Sequence, residues 1–425
     1  MYNAIKHSLL AFLLILPGLI WPHQAQSQVR INMPYSMYGV GEVRFNQYLQ
    51  NMGMGGLSQG YRSNASVNDV NPASYSAFDS TSFVFETTLF SHFYEQKTAT
   101  VEQQADYVAM GHLAIGFPIT PRWSFAAGIK PFSMMGYMVR EEEDLPLAGN
   151  IKYFYEGSGG LNQLFLGSGM QVVGGLSLGV NASYVFGNLN HESSAVSDSA
   201  GVYLTNLIHA DRVTGWLYGL GLQYEHVVSE NRRFTLGTTF GNQADASVRR
   251  TETLRRMLPG VLNFDTLSHR DLAEGSLTLP TYYGIGAFAR LNSNWGAGFD
   301  YQWQNWDAFE LLGSRENFNN SYQLSAGVRF NPSMETYSGL LSRIQYSAGV
   351  RYGQSYIKPS DEALNEFGIS FGMNIPVRRA YSGINIGFEY SQRGSAEDHL
   401  MQENFYRINL GINIYERWFQ RLRFF

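Results

Sequence analysis

Three arginines offer the sharpest chemistry in the sequence. Arg329, Arg343 and Arg351 fall in neighbouring stretches where apolar and polar residues alternate. A guanidinium grips a carboxylate through two parallel hydrogen bonds, so three converging arginines would hold the head of an acid. Alternation within their own strands turns Lys130 and Arg407 to the same inward face and makes them candidate contacts for a ligand or for an internal plug. A structural role stands beside this one. Alternation strand by strand also puts Glu86, His92, Glu225, Asp300 and Glu389 on that face, and buried charges are costly unless paired with one another.

Other chemistry is excluded more firmly. The nine His sit at no spacing that would arm a zinc-binding helix, and there is no Cys. No catalytic constellation, cofactor site or metal site is therefore expected. Gly39-Val40-Gly41 is too short for a phosphate loop. Glu141-Glu142-Glu143-Asp144 would bind a divalent cation with surface lipopolysaccharide or, more simply, form a solvated acidic tip. With a formal charge of -5 and no basic block, nothing points to nucleic acid.

The elements that position these residues follow from composition and period. Gly is the commonest residue at 44, Tyr and Phe number 27 and 28, and 15% of positions are charged. A soluble domain carries about 25% charged residues. From Thr81 onward the apolar residues recur every second position. Trp123, Phe125, Ala127 and Ile129 alternate with Ser124, Ala126, Gly128 and Lys130, and Leu178, Val180, Ala182 and Tyr184 with Ser177, Gly179, Asn181 and Ser183. Successive side chains of a strand face opposite ways, so each strand has one oily and one wet or small face. The runs are about eleven residues long, the length a tilted strand needs to cross a bilayer.

Connection lengths give the count. Long polar connections are expected at 95–105, 139–148, 188–211, 242–276, 304–319, 354–365 and 393–403, with short turns between them. Short periplasmic turns and long outer loops then make fourteen strands. Trp123, Trp295 and Trp418 fall at the periplasmic rim, and Trp216, Trp303 and Trp306 at the outer one. Gly157-Ser158-Gly159-Gly160 would make a fifteenth strand if read as a turn, and would put the later long loops on the wrong side. Gly157, Gly159 and Gly160 are instead read as a kink within one wall strand, where a gap between strands could open.

The N-terminal part differs. Lys6, the apolar run Leu9 to Ile20 and Ala25-Gln26-Ser27 read as a cleaved export signal over 1–27. Residues 28–80 lack alternation and are rich in Gly, Asn and Ser, and 81–425 form the barrel. Asn71-Pro72-Ala73 lies between Gly53-Met54-Gly55-Gly56 and the first strand. As plain turn chemistry it would simply end the N-terminal segment.

In this layout the chain resembles the outer-membrane long-chain fatty-acid transporter family, the FadL-like hydrocarbon-uptake barrels. The resemblance implies an all-β fold, a 14-stranded antiparallel transmembrane barrel whose lumen is plugged by an N-terminal hatch carrying the motif Asn71, Pro72 and Ala73. It also implies a non-enzymatic function in the bacterial outer membrane. That function would be passive uptake of a hydrophobic small molecule, of the long-chain fatty acid or hydrocarbon class, among outer-membrane lipids and lipopolysaccharide. Related barrels suggest an alternative, a non-conducting accessory or scaffold subunit of an outer-membrane assembly or secretion complex. An apolar lumen pocket with a few polar groups favours uptake. A filled polar lumen, with an apolar patch on an outer loop or the hatch, favours the subunit.

Overall fold

A computed structural model describes residues 32–417 apart from 44–48, 99–100, 146–148, 198–203, 258–264, 333–339, 378–381 and 397–400. The expected export signal and Trp418 lie outside the described residues.

After the two-residue strand β1 (Glu42–Val43), the first long strands are β2 (Ser82–Lys97), β3 (Glu102–Thr120), β4 (Trp123–Leu145), β5 (Gly149–Val173), β6 (Leu176–Ser197) and β7 (Leu204–Ser229). Next come β8 (Arg232–Gly241), β9 (Ala244–Met257), β10 (Asp265–Leu279), β11 (Tyr282–Arg290) and β12 (Trp295–Gln304). A small hairpin, β13 (Glu310–Leu311) and β14 (Ser314–Arg315), precedes β15 (Ser321–Phe330), β16 (Gln345–Gln354), β17 (Asn365–Pro376), β18 (Gly383–Arg393) and β19 (Gln402–Arg417). β7 pairs with β8 along its lower half and with β9 along its upper half, so β8 and β9 form one interrupted wall strand. β10 and β11 form the next, β10 on β9 and β11 between β8 and β12. With these merged the wall has fourteen antiparallel strands, and β19 closes the ring on β2.

The wall obeys the pleat. On β6, Leu178 and Val180 face outward at 44% and 43% exposure while Ser177, Asn181 and Ser183 are buried inward. Oily side chains meet hydrocarbon, and small or polar ones meet the interior.

The fourteen strands are not equally tall. β4 to β7 run 22–26 residues, whereas β15 and β16 have 10 each. At about 3.3 Å per residue a dozen extra residues add roughly 40 Å of strand, so one flank rises above the membrane as a parapet. Here the loop expectation is corrected, because most of 139–148, 188–211 and 242–276 is paired strand. Polar runs suggest loops, but a strand with water on both faces carries polar residues on both. Cross-strand ion pairs hold it: Arg250 grips Asp211 through two bonds of 2.6 Å, Arg270 bonds Glu252 at 2.7 and 2.9 Å, and Arg249 bonds Glu274 at 2.8 Å.

The Glu252 carboxyl is held below its ordinary range by hydrogen bonds, first from His209 and then from Arg270. A group whose folded pKa is depressed adds stability above its unfolded pKa and loses it as pH falls through the folded value. Acidification through the carboxylate range is therefore expected to speed hydrogen exchange in the β7–β9–β10 part of the parapet before the membrane-level ladders. Uniform protection across both regions at low pH would contradict this.

The kink residues have unusual backbone but no gap. Gly159 and Gly160 sit at φ +114° and +143°. β5 nevertheless pairs without interruption from Gly157 to Gly160, with Tyr137 to Met134 on one side and with His191 to Asn188 on the other. No opening exists at this site.

Candidate functional site

The interior is filled by residues 32–43 and 49–80 together with inward wall side chains, in three levels. At the first, Asn71 caps a short 3-10 helix, Pro72–Ala77, by accepting from Ala73 N, with Pro72 in the first turn where a missing N–H costs nothing. The Asn71 Nδ2 group donates to the carbonyl of Gln59 at 2.9 Å and reaches those of Leu222 and Thr238 at 3.4 and 3.5 Å. One fully buried amide thus ties the motif to the wall. Glycine makes the approach possible: a Cβ on Gly179 would lie 2.2 Å from the Pro72 carbonyl carbon. Asn71→Ala leaves the buried Ala73 N–H without its cap and removes one of two donors from the Gln59 carbonyl, which keeps Gln223 Nε2 at 2.8 Å. It is expected to cost about 1–3 kcal/mol, read as a lower urea midpoint for loss of the folded, fast-migrating electrophoretic form. An unchanged midpoint would remove the motif from the structural argument.

Asp300 on β12 belongs to the same level. Its carboxylate accepts from Ser58 N at 2.5 Å and Gln59 N at 2.8 Å. Lys130 pairs with Asp69, and Arg329 donates to the Tyr61 hydroxyl at 2.7 Å while stacking on the Tyr61 and Phe288 rings.

The second level is a band of buried ions. Arg351 binds Glu389 at 2.8 Å and also Glu366, and Arg407 bonds Glu389 at 2.5 Å and Glu366 at 3.3 Å. Beside it Arg393, 1% exposed, joins Glu403 at 2.7 Å to Glu42 of β1 at 2.6 Å.

The third level is an apolar dome at the outer mouth. Trp306, Phe309, Phe318, Tyr356, Ile357 and Leu364 pack with Tyr35 and Val40 and with the inner face of the parapet, in one buried cluster. Trp306 is completely buried and stacks on Tyr356 at 4.1 Å between ring centroids, so it is no part of an outer girdle. Two lumen cavities flank these levels, one of 50 Å³ beside Lys130 and Asp69 and one of 60 Å³ beside Arg351 and Glu366. Each has room for a few waters.

The three candidate arginines do not converge. Arg351 is occupied by two glutamates, Arg329 lies four rungs away and is taken by Tyr61. Arg343 ends a short helix, Leu340–Arg343, in the turn before β16. Parity fails there because a strand period was carried through residues that are not strand. Conversely, Glu42, Asp69, Glu366, Arg393 and Glu403 went unread. Arg393 shares the parity of Glu389 on β18, and Glu403 that of Arg407 on β19, but both fall in the polar stretch 393–403, which suggests a loop.

Two adjacent wall strands, β3 and β4, part company above the membrane. Their ladder runs only from Leu113↔Ile129 to Thr120↔Trp123, although both strands continue well above it. Residues 32–43 fill the place on the β4 edge. Glu42 and Val43 pair with Met134 and Ser133. The Gly136 carbonyl accepts from Met33 N at 2.7 Å, Gly136 N donates to Ser36 Oγ at 3.0 Å, and Met138 N donates to Asn32 Oδ1 at 3.0 Å. The N-terminal segment thus serves as a substitute wall strand along this seam.

A closed fourteen-strand wall, an oily outer face and an N-terminal segment bound within define an outer-membrane β-barrel of FadL-like fold. Solved structures agree. The structure superposes on the Pseudomonas putida toluene transporter TodX with TM-score 0.60 at 14% identity, covering 89% of this chain and 100% of that one. It matches the CymD monoaromatic hydrocarbon channel with TM-score 0.58 at 14% identity, over 91% and 100% of the two chains. A Pseudomonas aeruginosa FadL homologue gives TM-score 0.56 at 12% identity, over 89% and 100%. The chain belongs to the BamG family, whose sequence pattern it matches over residues 5–425. No curated protein matches it in sequence.

Proposed function

We propose that this barrel is a closed, non-conducting member of an outer-membrane protein assembly, with residues 32–43 and 49–80 as a fixed hatch and the parapet as its exposed working surface. The apolar dome carries this reading: the position where an uptake barrel would receive its ligand is packed with this chain's own aromatic side chains. The ion band and the two small cavities beneath agree with it, since neither offers an apolar site the size of a hydrocarbon ligand. A specific observation favours a second reading, passive uptake of a hydrocarbon or long-chain fatty acid. The β3–β4 seam is spanned by residues of the N-terminal segment rather than by a continuous wall strand, and the fold is one that hydrocarbon channels use.

Native purification in mild detergent, with mass analysis of proteins and small molecules, separates the two. Stoichiometric co-purification of other envelope proteins, with no toluene or fatty-acid flux in proteoliposomes, is the expected result. A lone barrel that carries a fatty acid and passes it across a bilayer overturns the subunit reading in favour of uptake.

A further inference from the structure

A row of arginines faces the lumen at the periplasmic end of the wall. Arg233 is the second residue of β8, Arg290 the last of β11 and Arg329 the last but one of β15. The ladders set all three on one rung. Arg290 stands opposite Arg233, Gly296 of β12 opposite Arg290, and Arg329 opposite Gly296. Each shares the parity of a buried, inward residue of its own strand, Thr235, Phe288 or Ser325. From the hatch, Arg62 reaches close to this level and donates to Ser177 Oγ of β6 at 3.0 Å and to Ser76 Oγ at 2.9 Å.

Higher in the lumen, cations meet carboxylates in matched groups: Lys130 with Asp69, Arg351 and Arg407 with Glu366 and Glu389, and Arg393 with Glu403 and Glu42. The periplasmic rung breaks that rule. Among the described residues, the inward carboxylate on the last rungs of β6 to β15 is Glu225, 3.9 Å from Arg233. The hydrogen bonds of Arg62 and Arg329 go to hydroxyl groups, which carry no charge. Like charges directly opposite on a sheet repel, and a fold keeps such a conflict where a function needs it.

We propose that this arc binds an acidic, extended segment of a periplasmic partner protein, its carboxylates gripped by Arg233, Arg290 and Arg329. Lipid head groups lie on the wrong side of the wall, since the neighbouring Phe234 and Val328 are the side chains that face the bilayer. The arc opens to water, with the Arg233 side chain 45% exposed. From Arg233 to Arg329 the row crosses three strand spacings of about 4.8 Å, roughly 14 Å in all. Carboxylates at three alternate positions of an extended chain cover about 13 Å. A single phosphate or carboxylate would engage one or two forks of the row. The site is separate from the parapet and independent of whether the lumen conducts.

The test uses the full-length protein in mild detergent and a fluorescent peptide of alternating Asp and Ser, with binding read by anisotropy. Wild type is expected to bind this peptide, more weakly as salt rises, and to ignore a peptide of alternating Lys and Ser. A peptide with a single Asp is expected to bind at least tenfold more weakly. Arg233→Gln with Arg290→Gln should weaken binding of the Asp-Ser peptide at least tenfold. Arg249→Gln, on the parapet, serves as control and should bind like wild type, and the folded electrophoretic mobility of each variant confirms an intact barrel. Equal binding by wild type and the Arg233→Gln, Arg290→Gln variant overturns the site. So does equal binding of the single-Asp peptide, or displacement of the Asp-Ser peptide by inorganic phosphate at the same concentration, either of which would make the arc a site for one small anion.

Discussion

Arg351→Ala is expected to destabilise the barrel by about 3–5 kcal/mol, because it leaves a buried carboxylate pair without half of its counter-charge. Glu389 is 5% exposed, and among the described residues the other guanidinium in contact with Glu366 is that of Arg407, at 3.3 Å. Arg407 cannot neutralise both. The charge count makes a sharper companion experiment. Removing Arg351 and Glu389 together leaves the Arg407–Glu366 pair balanced, so Arg351→Leu with Glu389→Leu should recover most of the loss. Urea midpoints of the folded electrophoretic band for wild type, Arg351→Leu, Glu389→Leu and the double variant give the full cycle. A double variant as weak as Arg351→Ala would mean that the cost is lost packing, and the ion band would then be incidental to stability.

Gly41→Val carries the second large expected effect, and it acts on the seam. Gly41 has φ +87°, a region that β-branched residues essentially do not enter, and an added Cβ would lie 2.5 Å from the Met134 carbonyl oxygen. Neither β4 nor the segment can yield without losing the bonds that join them. Residues 32–43 are therefore expected to leave the seam. The Gly136 and Met138 amides, which donate to Ser36 and Asn32, should then exchange with solvent at least a hundredfold faster. That factor corresponds to about 2.8 kcal/mol. Amides in the continuous β4–β5 ladder should be unaffected. Unchanged exchange at Gly136 and Met138 would show that the segment is not what closes this edge.

The sequence made the wall legible because a bilayer leaves few options. Every inward Ser, Asn or Gly between outward Leu, Val and Tyr repeats one constraint, and the connections between such runs count out fourteen strands. The parapet was not legible, since above the membrane the two-residue period no longer separates oil from water. Arg249, Arg250 and Glu252 look like a loop until β7 and β10 are known to lie beside them. The interior was half legible. Parity found Asp300, Arg351, Glu389 and Arg407, but their partners Ser58, Gln59 and Glu366 are set by register and by the path of the N-terminal segment. The same limit hid the seam. Nothing in residues 102–112 or 130–140 says that two adjacent strands part company, because the reason lies in residues 32–43, some ninety positions earlier.

The ring closes where β19 meets β2, from Gln402↔Lys97 to Arg417↔Ser82. These are the most sequence-distant ladders in the wall, joining the last strand made to the first. Until the final residues leave the export channel, no order of folding can give a sealed cylinder, and each intermediate sheet has two raw edges. Bringing ends together across some three hundred residues adds loop-closure entropy to the barrier. Unpaired edges in the meantime invite pairing with the wrong chain. The molecule's critical moment therefore comes late in its biogenesis. Any defect confined to β19 should appear as degraded or aggregated precursor in the periplasm, rather than as a weakened barrel in the membrane.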